Sequence, residues 1–205
     1  MMFGARLFRR PILLAAVGIL TLVLTACTGR GGGYLPPGPV FTGQASFGFD
    51  FSCQRSSRST STNPKTGELR VEMAYVDHGT SLLLGAPFSI HGIVDQIDPV
   101  LESQICIGQE PPPLDGVLIF LGRYRVTSSP PTGFPSTCPA RETKTTPLCR
   151  FEVTVQDNDR SLTPSAGDFF SIRLSSATIL SSELDTATVF YARAGYLAGG
   201  NLTVK

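Results

Sequence analysis

The sequence predicts an all-β fold, either an antiparallel β-sandwich or a partly closed barrel, because three observations agree. Apolar residues recur at every second position in several short segments. Clusters of Gly, Pro, Asn and Asp separate these segments and indicate turns. No segment shows a convincing 3.6-residue apolar period, and Ser176 to Asp185 could hold a short helical turn at most. We therefore expect many short strands and no long helix.

The strands of the first two thirds follow from this alternation. Ala45 to Cys53 places Phe47, Phe49 and Phe51 on one face of a strand, where we expect them to fill the interior. Leu69 to Tyr75 predicts a second strand, paired with the first as a long-looped hairpin.

Two further segments come before the final third of the chain. Ser81 to Asp95 predicts one or two apolar strands broken at Gly85-Ala86-Pro87. Val117 to Thr127 is apolar on both faces at its start. This second pattern predicts a central strand of the sheet.

The last third of the chain has the clearest pattern. Three alternating segments predict strands: Phe151 to Val155, Phe170 to Leu174, and Val189 to Leu197. The chain then passes through Ala198-Gly199-Gly200 into Asn201 to Lys205. This Gly-Gly pair predicts a hairpin that closes the domain, with Leu202 and Val204 pointing inward.

The N-terminal segment has the layout of an export signal. Its parts are basic Arg6, Arg9 and Arg10, the apolar run Pro11 to Leu24, and Thr25-Ala26 before Cys27. The run is short for a bilayer span of ~20 residues. Residues 1–27 resemble the signal of bacterial lipoproteins, which implies cleavage before Cys27 and a diacylglyceryl group on its thiol. An uncleaved signal anchor, or a secreted protein in which Cys27 has no role, stays open.

The resemblance, the composition and the alternation together predict three regions. Residues 1–26 are the signal peptide, and residues 27–40 are the lipidated Cys27 followed by a Gly/Pro tether. Residues 41–205 form a single β-sandwich domain. A tether of this composition cannot bury a core, so we expect it to hold the domain off the membrane. The protein is then anchored by lipid to the extracytoplasmic side of the cell membrane.

Charge argues against nucleic acid as a partner. The predicted signal peptide holds three arginines and no acid, which leaves 14 basic against 16 acidic residues. Such a chain has no basic surplus with which to neutralise phosphates.

Four cysteines remain once Cys27 is assigned to lipid: Cys53, Cys106, Cys138 and Cys149. An even number in an exported chain predicts two disulfides, and three pairings are possible. The segment between Cys138 and Cys149 is short and contains prolines, which favours a disulfide between these two cysteines. That leaves Cys53 to pair with Cys106. A metal site is the competing interpretation, but there is no Cys-x-x-Cys pair and the chain has two histidines.

A second resemblance extends from about Gln44 to Lys205. It rests on Ala45-Ser46-Phe47-Gly48-Phe49, Tyr75-x-Asp77-His78-Gly79, Phe151 to Asn158, Gly167-Asp168-x-Phe170, and Gly199-Gly200-Asn201-Leu202. Together these are similar to small β-sandwich modules of unknown function in secreted bacterial surface proteins. The Pro-rich segments around Cys106 and Cys138 depart from that pattern as insertions. The resemblance implies a fold and no chemistry.

Two groups of residues are candidate sites. Asp157-Asn158-Asp159 with Asp168 could begin a calcium shell of carboxylate and amide oxygens, although the spacing is not that of an EF-hand. The alternative is that these are ordinary turn residues. His78 follows Asp77, but neighbours on a strand end point to opposite faces, so they are poorly placed as a catalytic pair.

The function expected from these features is a lipid-anchored, monomeric envelope module without catalytic activity. It would bind a protein or glycan partner through its long loops. The first alternative is a carrier or sensor of a hydrophobic ligand held in the interior. An extracytoplasmic hydrolase is the second alternative, but the chain has no Gly-x-Ser-x-Gly motif.

Overall fold

The structure is a computed structural model that describes residues 28–55, 67–80, 84–94, 117–158, 167–179 and 184–204. These residues form nine strands of one antiparallel sheet. The strands are β1 (Thr28–Leu35), β2 (Ala45–Arg55), β3 (Gly67–Asp77), β4 (Phe88–Val94), β5 (Val117–Val126), β6 (Cys149–Gln156), β7 (Phe169–Ser175), β8 (Val189–Tyr196) and β9 (Gly199–Val204). One turn of 3-10 helix, Thr186–Thr188, precedes β8 and is capped by Asp185.

The strand order is β8-β7-β6-β5-β4-β3-β2-β1-β9. Strands β1 to β8 each lie beside their neighbours in sequence, whereas β9 returns to pair with β1. The prediction of an all-β fold is confirmed, and the described residues contain no α-helix. The single curled sheet is a half-barrel, and a second sheet packed against it as in a sandwich is not seen in the described part of the chain.

The inner face of the curled sheet carries the core. Alternation along β2 buries Phe47 and Phe49, as predicted. The ring of Phe47 stacks on Phe170 of β7 with centroids 3.7 Å apart, and Phe49 lies 5.9 Å from Phe120 of β5. Neither β7 nor β5 is adjacent to β2 in the sheet. These contacts therefore cross the interior and show how far the sheet curls.

The predicted tether is wrong for Thr28–Leu35, which forms β1 between β2 and β9. The glycines on its inner face allow close approach of the neighbouring strands. A Cβ atom at Gly31 would lie 2.7 Å from the Leu202 side chain, and one at Gly33 would lie 2.6 Å from the carbonyl of Gly199. Glycine content alone suggested a flexible linker, but pairing with strands on both sides overrides that local tendency.

The predicted closing hairpin is also wrong, although both of its strands form and Leu202 is buried as expected. Strands β8 and β9 lie at opposite ends of the strand order, so they do not pair. In the connection between them, the Leu197 amide donates to the Asp168 carbonyl (2.8 Å) and the Ala198 amide to the Tyr34 carbonyl (3.0 Å). The place beside β9 that a hairpin would give to β8 is occupied by β1.

A buried polar group, here called the Asp77 cluster, consists of Asp77, Arg193, Tyr191 and Tyr75. Arg193 donates to one Asp77 carboxylate oxygen at 3.0 Å, and their side chains are 3% and 1% exposed. Tyr191 donates to the other oxygen at 2.6 Å. The hydroxyls of Tyr75 and Tyr191 lie 2.5 Å apart. The charged carboxylate thus has partners at both oxygens, as burial of a charge requires.

The Asp77 cluster links parts of the sheet that are far apart in the strand order. Four strands separate β3, which carries Asp77, from β8, which carries Arg193. Arg193 also donates to the carbonyls of Pro36 (2.9 Å) and Gly43 (2.7 Å) in the loop between β1 and β2. Its guanidinium carbon lies 4.5 Å from the centre of the Phe41 ring. One arginine therefore holds β8, β3 and this loop together.

We predict that Arg193→Met destabilises the fold by about 3–5 kcal/mol, because it leaves the Asp77 carboxylate buried without its cationic partner. Urea unfolding monitored by circular dichroism measures the loss in the free energy of unfolding. The control Arg125→Met changes an exposed arginine and should stay within about 0.5 kcal/mol of wild type. Equal small losses in the two variants would contradict the role given to Arg193.

We also predict that the free energy of unfolding falls as pH rises above about 10. Burial raises the pKa of Tyr75, Tyr124 and Tyr191 above the ordinary value of 10.0. Their phenols stay neutral in the fold while the unfolded chain ionises, so alkaline pH favours unfolding. Urea titrations across this range should show the decline, and Tyr124→Phe should reduce its slope. Phenolate absorbance equivalent to three or more ionised tyrosines, appearing before the protein unfolds, would contradict this account.

Candidate functional site

The segment between β5 and β6, residues 127–148, is here called the stapled loop. The predicted disulfide Cys138–Cys149 is confirmed, with Cα atoms 5.2 Å apart. Both cysteines are buried, and Cys149 is the first residue of β6. The disulfide therefore fixes the loop to the start of a core strand. The predicted Cys53–Cys106 pair lies outside the described residues, since Cys106 and the Cys53 side chain are not among them.

The first half of the stapled loop packs on the core through Phe134, which is 7% exposed. Its ring lies 4.9 Å from Phe190 and 5.5 Å from Phe88, both in edge-on contact. Two turns at prolines shape this half: the Phe134 amide donates to the Pro131 carbonyl, and the Cys138 amide donates to the Pro135 carbonyl. Aromatic contacts of this kind stabilise beyond the area they bury.

The second half of the loop, residues 141–146, is exposed yet internally bonded. The Thr143 hydroxyl accepts from the amides of Thr146 (3.0 Å) and Thr145 (3.3 Å). The Thr143 amide donates to the Thr146 carbonyl at 3.1 Å. The Glu142 carboxylate pairs with Arg123 on the outer face of β5. This tip is preorganised, which lowers the entropy lost when a partner binds.

The described residues of the predicted calcium site form hydrogen bonds with the backbone. Asp168 accepts from the Asn158 amide with one oxygen (3.1 Å) and from the Leu202 amide with the other (2.8 Å). The Asn158 side chain donates to the Gly167 carbonyl at 2.7 Å. Asp157 is buried nearby, and Asp159 lies outside the described residues. The structure thus brings Asn158 and Asp168 together as turn residues that tie β9 to the β6–β7 connection.

The described ranges contain no group of three or more His, Cys, Asp or Glu side chains that could hold a metal ion. Since both Asp168 oxygens accept backbone amides, the turn interpretation of this group is favoured over calcium.

His78 and Asp77 point to opposite faces, as the sequence predicted. Asp77 faces the interior, whereas the His78 ring lies on the outer face with its Nε2 atom 2.8 Å from the Ser46 hydroxyl. A serine next to a histidine is the start of a nucleophilic pair, which also needs a group that orients the histidine. The hydrogen bonds of the described residues place no carboxylate on His78. We therefore interpret Ser46 and His78 as a polar pair between β2 and the residue that follows β3.

The interior bears on the hydrophobic-ligand alternative. Aromatic rings contact one another across it: Phe88 and Tyr191 are 5.0 Å apart, and Tyr75 and Phe170 are 6.3 Å apart. A face lined with rings in mutual contact favours a filled core over a ligand cavity.

Among the residues whose burial is described, five large apolar ones are exposed, and they lie on separate elements: Tyr34, Val40, Ile119, Ile179 and Tyr196. They occupy β1, the β1–β2 loop, β5, the segment after β7, and β8 in that order. Exposed apolar residues taken singly do not mark an interface. The stapled loop, with its polar tip, is a stronger candidate.

Comparisons with protein-family models, with curated proteins and with solved structures find no match to this chain. Across the described residues, no helix has the length and apolar character needed to cross a membrane. Residues 1–27 lie outside the described residues. The resemblances to a lipoprotein signal and to β-sandwich surface modules therefore stay predictions.

We predict that Cys138→Ser/Cys149→Ser lowers the free energy of unfolding by about 3 kcal/mol, because the unfolded chain loses a closed loop. Trypsin should then cut at Arg141 or Lys144 much faster than in wild type, since the tip loses its attachment. Urea unfolding and timed proteolysis measure the two effects. The control Ser136→Ala/Thr137→Ala alters neighbouring exposed residues and keeps the disulfide. Equal cleavage rates in all three proteins would show that the disulfide does not order the tip.

Proposed function

We propose that this protein is a lipid-anchored, non-catalytic module of the bacterial cell envelope that binds a protein or glycan partner through the stapled loop. The signal-like segment that ends at Cys27 supports the anchor. The disulfide between Cys138 and Cys149 supports an exported location, because disulfides persist in oxidising compartments.

The observation that carries the proposal is the division of the stapled loop into two halves. Phe134 and the disulfide fix one half to the core, while residues 141–146 are exposed and ordered by Thr143. Loops held in this way by a rigid scaffold are where binding residues are concentrated in many β proteins. The tip presents two cations, Arg141 and Lys144, beside threonine hydroxyls. Such chemistry suits hydroxyl- or carboxylate-bearing partners.

The two alternatives have less support. The Ser46–His78 pair has no orienting carboxylate among the described residues, which weakens the hydrolase alternative. The contacting rings of the interior weaken the carrier alternative.

The proposal is tested in native cells with a photo-cross-linking residue at position 144. The protein that carries this residue and keeps Cys27 should sediment with membranes, carry the mass of a diacylglyceryl group, and give an adduct of one defined mass. Cys27→Ala should leave the membrane fraction or keep the precursor size, because no thiol remains for acylation. Fractionation and intact mass report the anchor, and adduct mass reports the partner.

Two controls sharpen this test. Thr28→Ala changes the next residue and keeps the thiol, so it should behave as wild type. A cross-linking residue at Asp50, exposed on β2, should not give the position-144 adduct. Unchanged membrane retention and size of Cys27→Ala would overturn the anchor. The same adducts from positions 144 and 50, or none from position 144, would overturn the loop as the binding surface.

A further inference from the structure

The positive charges of this protein are concentrated on one surface of the fold. Of the eight lysine and arginine side chains that the structure describes, six lie on the outer faces of β5, β6 and β7 or in the tip of the stapled loop. We call this region the cationic surface: Arg123, Arg125, Arg141, Lys144, Arg150 and Arg173. Of the eight acidic side chains that the structure describes, only Glu142 and Glu152 belong to this region.

The six other described acids belong to other parts of the fold. Asp157 and Asp168 are buried at the end of β6 and β7 that is opposite the stapled loop, and Asp77 is buried against Arg193. Asp185 caps the 3-10 turn before β8, and Asp50 and Glu72 lie on the outer faces of β2 and β3. Glu72 shares a row with Arg123 but is two strands away, at ~10 Å.

Both acids of the cationic surface are paired with its own arginines. Glu142 pairs with Arg123, and Glu152 accepts from Arg173 at 2.9 Å. Three further cations, Arg125, Arg141 and Lys144, are exposed, and within the described ranges no hydrogen bond or ion pair engages their side chains. The cationic surface therefore has a net positive charge and three cations that are available to a partner.

The ion pair of Glu142 and Arg123 brings these three cations together. Arg125 lies two residues beyond Arg123 on the same face of β5, ~7 Å along the strand. Arg141 precedes Glu142 in the tip, and Lys144 follows it by two residues. The tip is thus held on the outer face of the sheet, and its cations are fixed beside Arg125.

We infer that the cationic surface binds an anionic glycan, a polysaccharide chain that bears carboxylate groups, an inference that rests on the proposed function and specifies its partner. Charge complementarity supports this partner, because guanidinium and ammonium groups form strong hydrogen bonds with carboxylates. Arg123 lies directly opposite Arg150 in the register of β5 and β6, and like charges in that position destabilise a sheet. An anionic ligand would relieve this repulsion.

The composition of the stapled loop favours a glycan over an acidic protein. Its exposed residues include no large apolar side chain, whereas the centres of specific protein interfaces are rich in apolar and aromatic residues. The tip instead exposes the hydroxyls of Thr145 and Thr146 beside its cations, and hydroxyls both donate to and accept from sugar hydroxyls. One exposed apolar residue, Ile179, lies at the edge of the cationic surface, where its carbonyl accepts from Arg150 at 3.1 Å. An acidic protein would use that side chain, and a glycan would not.

The test measures binding of the full chain to three polymers by calorimetry: polygalacturonate, poly-L-glutamate of equal charge, and neutral dextran. Polygalacturonate should bind most tightly, dextran should not bind, and added salt should weaken binding because it screens exposed charges. Arg125→Gln/Arg141→Gln/Lys144→Gln should lower the affinity for polygalacturonate by about tenfold, since each exposed ion pair contributes little alone. Thr145→Val/Thr146→Val should lower the affinity for polygalacturonate and leave that for poly-L-glutamate unchanged.

Two controls keep the cations of the surface. Arg30→Gln changes an exposed arginine on the outer face of β1, and Ile179→Ser removes the exposed apolar side chain; both should bind polygalacturonate as wild type does. Unchanged affinity in the triple glutamine variant would overturn the cationic surface as the site. Tighter binding of poly-L-glutamate than of polygalacturonate, weakened by Ile179→Ser, would identify an acidic protein as the partner and overturn the glycan.

Failure of this inference is distinguishable from failure of the proposed function. If neither anionic polymer binds, the inference is overturned, and the cross-linked adduct from position 144 in native cells decides the rest. An adduct of one defined mass would leave the stapled loop as a binding surface for another partner. Absence of that adduct would overturn the proposed function as well.

Discussion

The buried ion pair of Asp77 and Arg193 is the interaction on which the shape of this protein depends. Burial of two charges costs several kcal/mol per ion, and the hydroxyl of Tyr191 and the carbonyls of Pro36 and Gly43 offset part of that cost. Because the pair joins β3 to β8, it crosses the interior of the curled sheet, whose two end strands, β8 and β9, are not paired with each other in the described part of the chain. Aromatic stacking alone would leave the direction of closure less specified, since apolar contacts are not directional.

Local patterns predicted the strands that have one apolar face, and failed where position depends on distant neighbours. Alternation located β2 and β3 and their pairing, because a one-residue slip would expose Phe47 and Phe49. Strand β1 has glycines at Gly31 and Gly33 in place of an apolar face, so its sequence carries no period that could reveal it. The Gly-Gly signal after β8 suggested a hairpin, but pairing with β1 is set by tertiary structure and has no local signature.

Among the candidate sites too, those with a local sequence signal were predicted, and those that depend on distant residues were not. The short loop between Cys138 and Cys149 made that disulfide predictable, because closing few residues needs little specific folding. The sequence pattern did not identify Arg193 as a buried residue, although the alternation of β8 places it on the same face as Tyr191. An inward arginine is rare unless a partner is buried with it, and its partner Asp77 is 116 residues away. Asp168 looked like a cation ligand from composition, yet its oxygens hold two backbone amides.

The pairing of β1 on both sides bears on how the proposed anchored module would work. A flexible linker lets a binding site sample a range of heights above the membrane, whereas β1 makes the distance a property of the sheet. The eight residues of β1 lead from Thr28 to the β1–β2 loop and span about 26 Å at the rise of a β-strand. Arg193 fixes that same loop to β8 through Pro36 and Gly43. A partner of the stapled loop would thus bind to a loop carried by a rigid sheet, which reduces the ordering cost of binding.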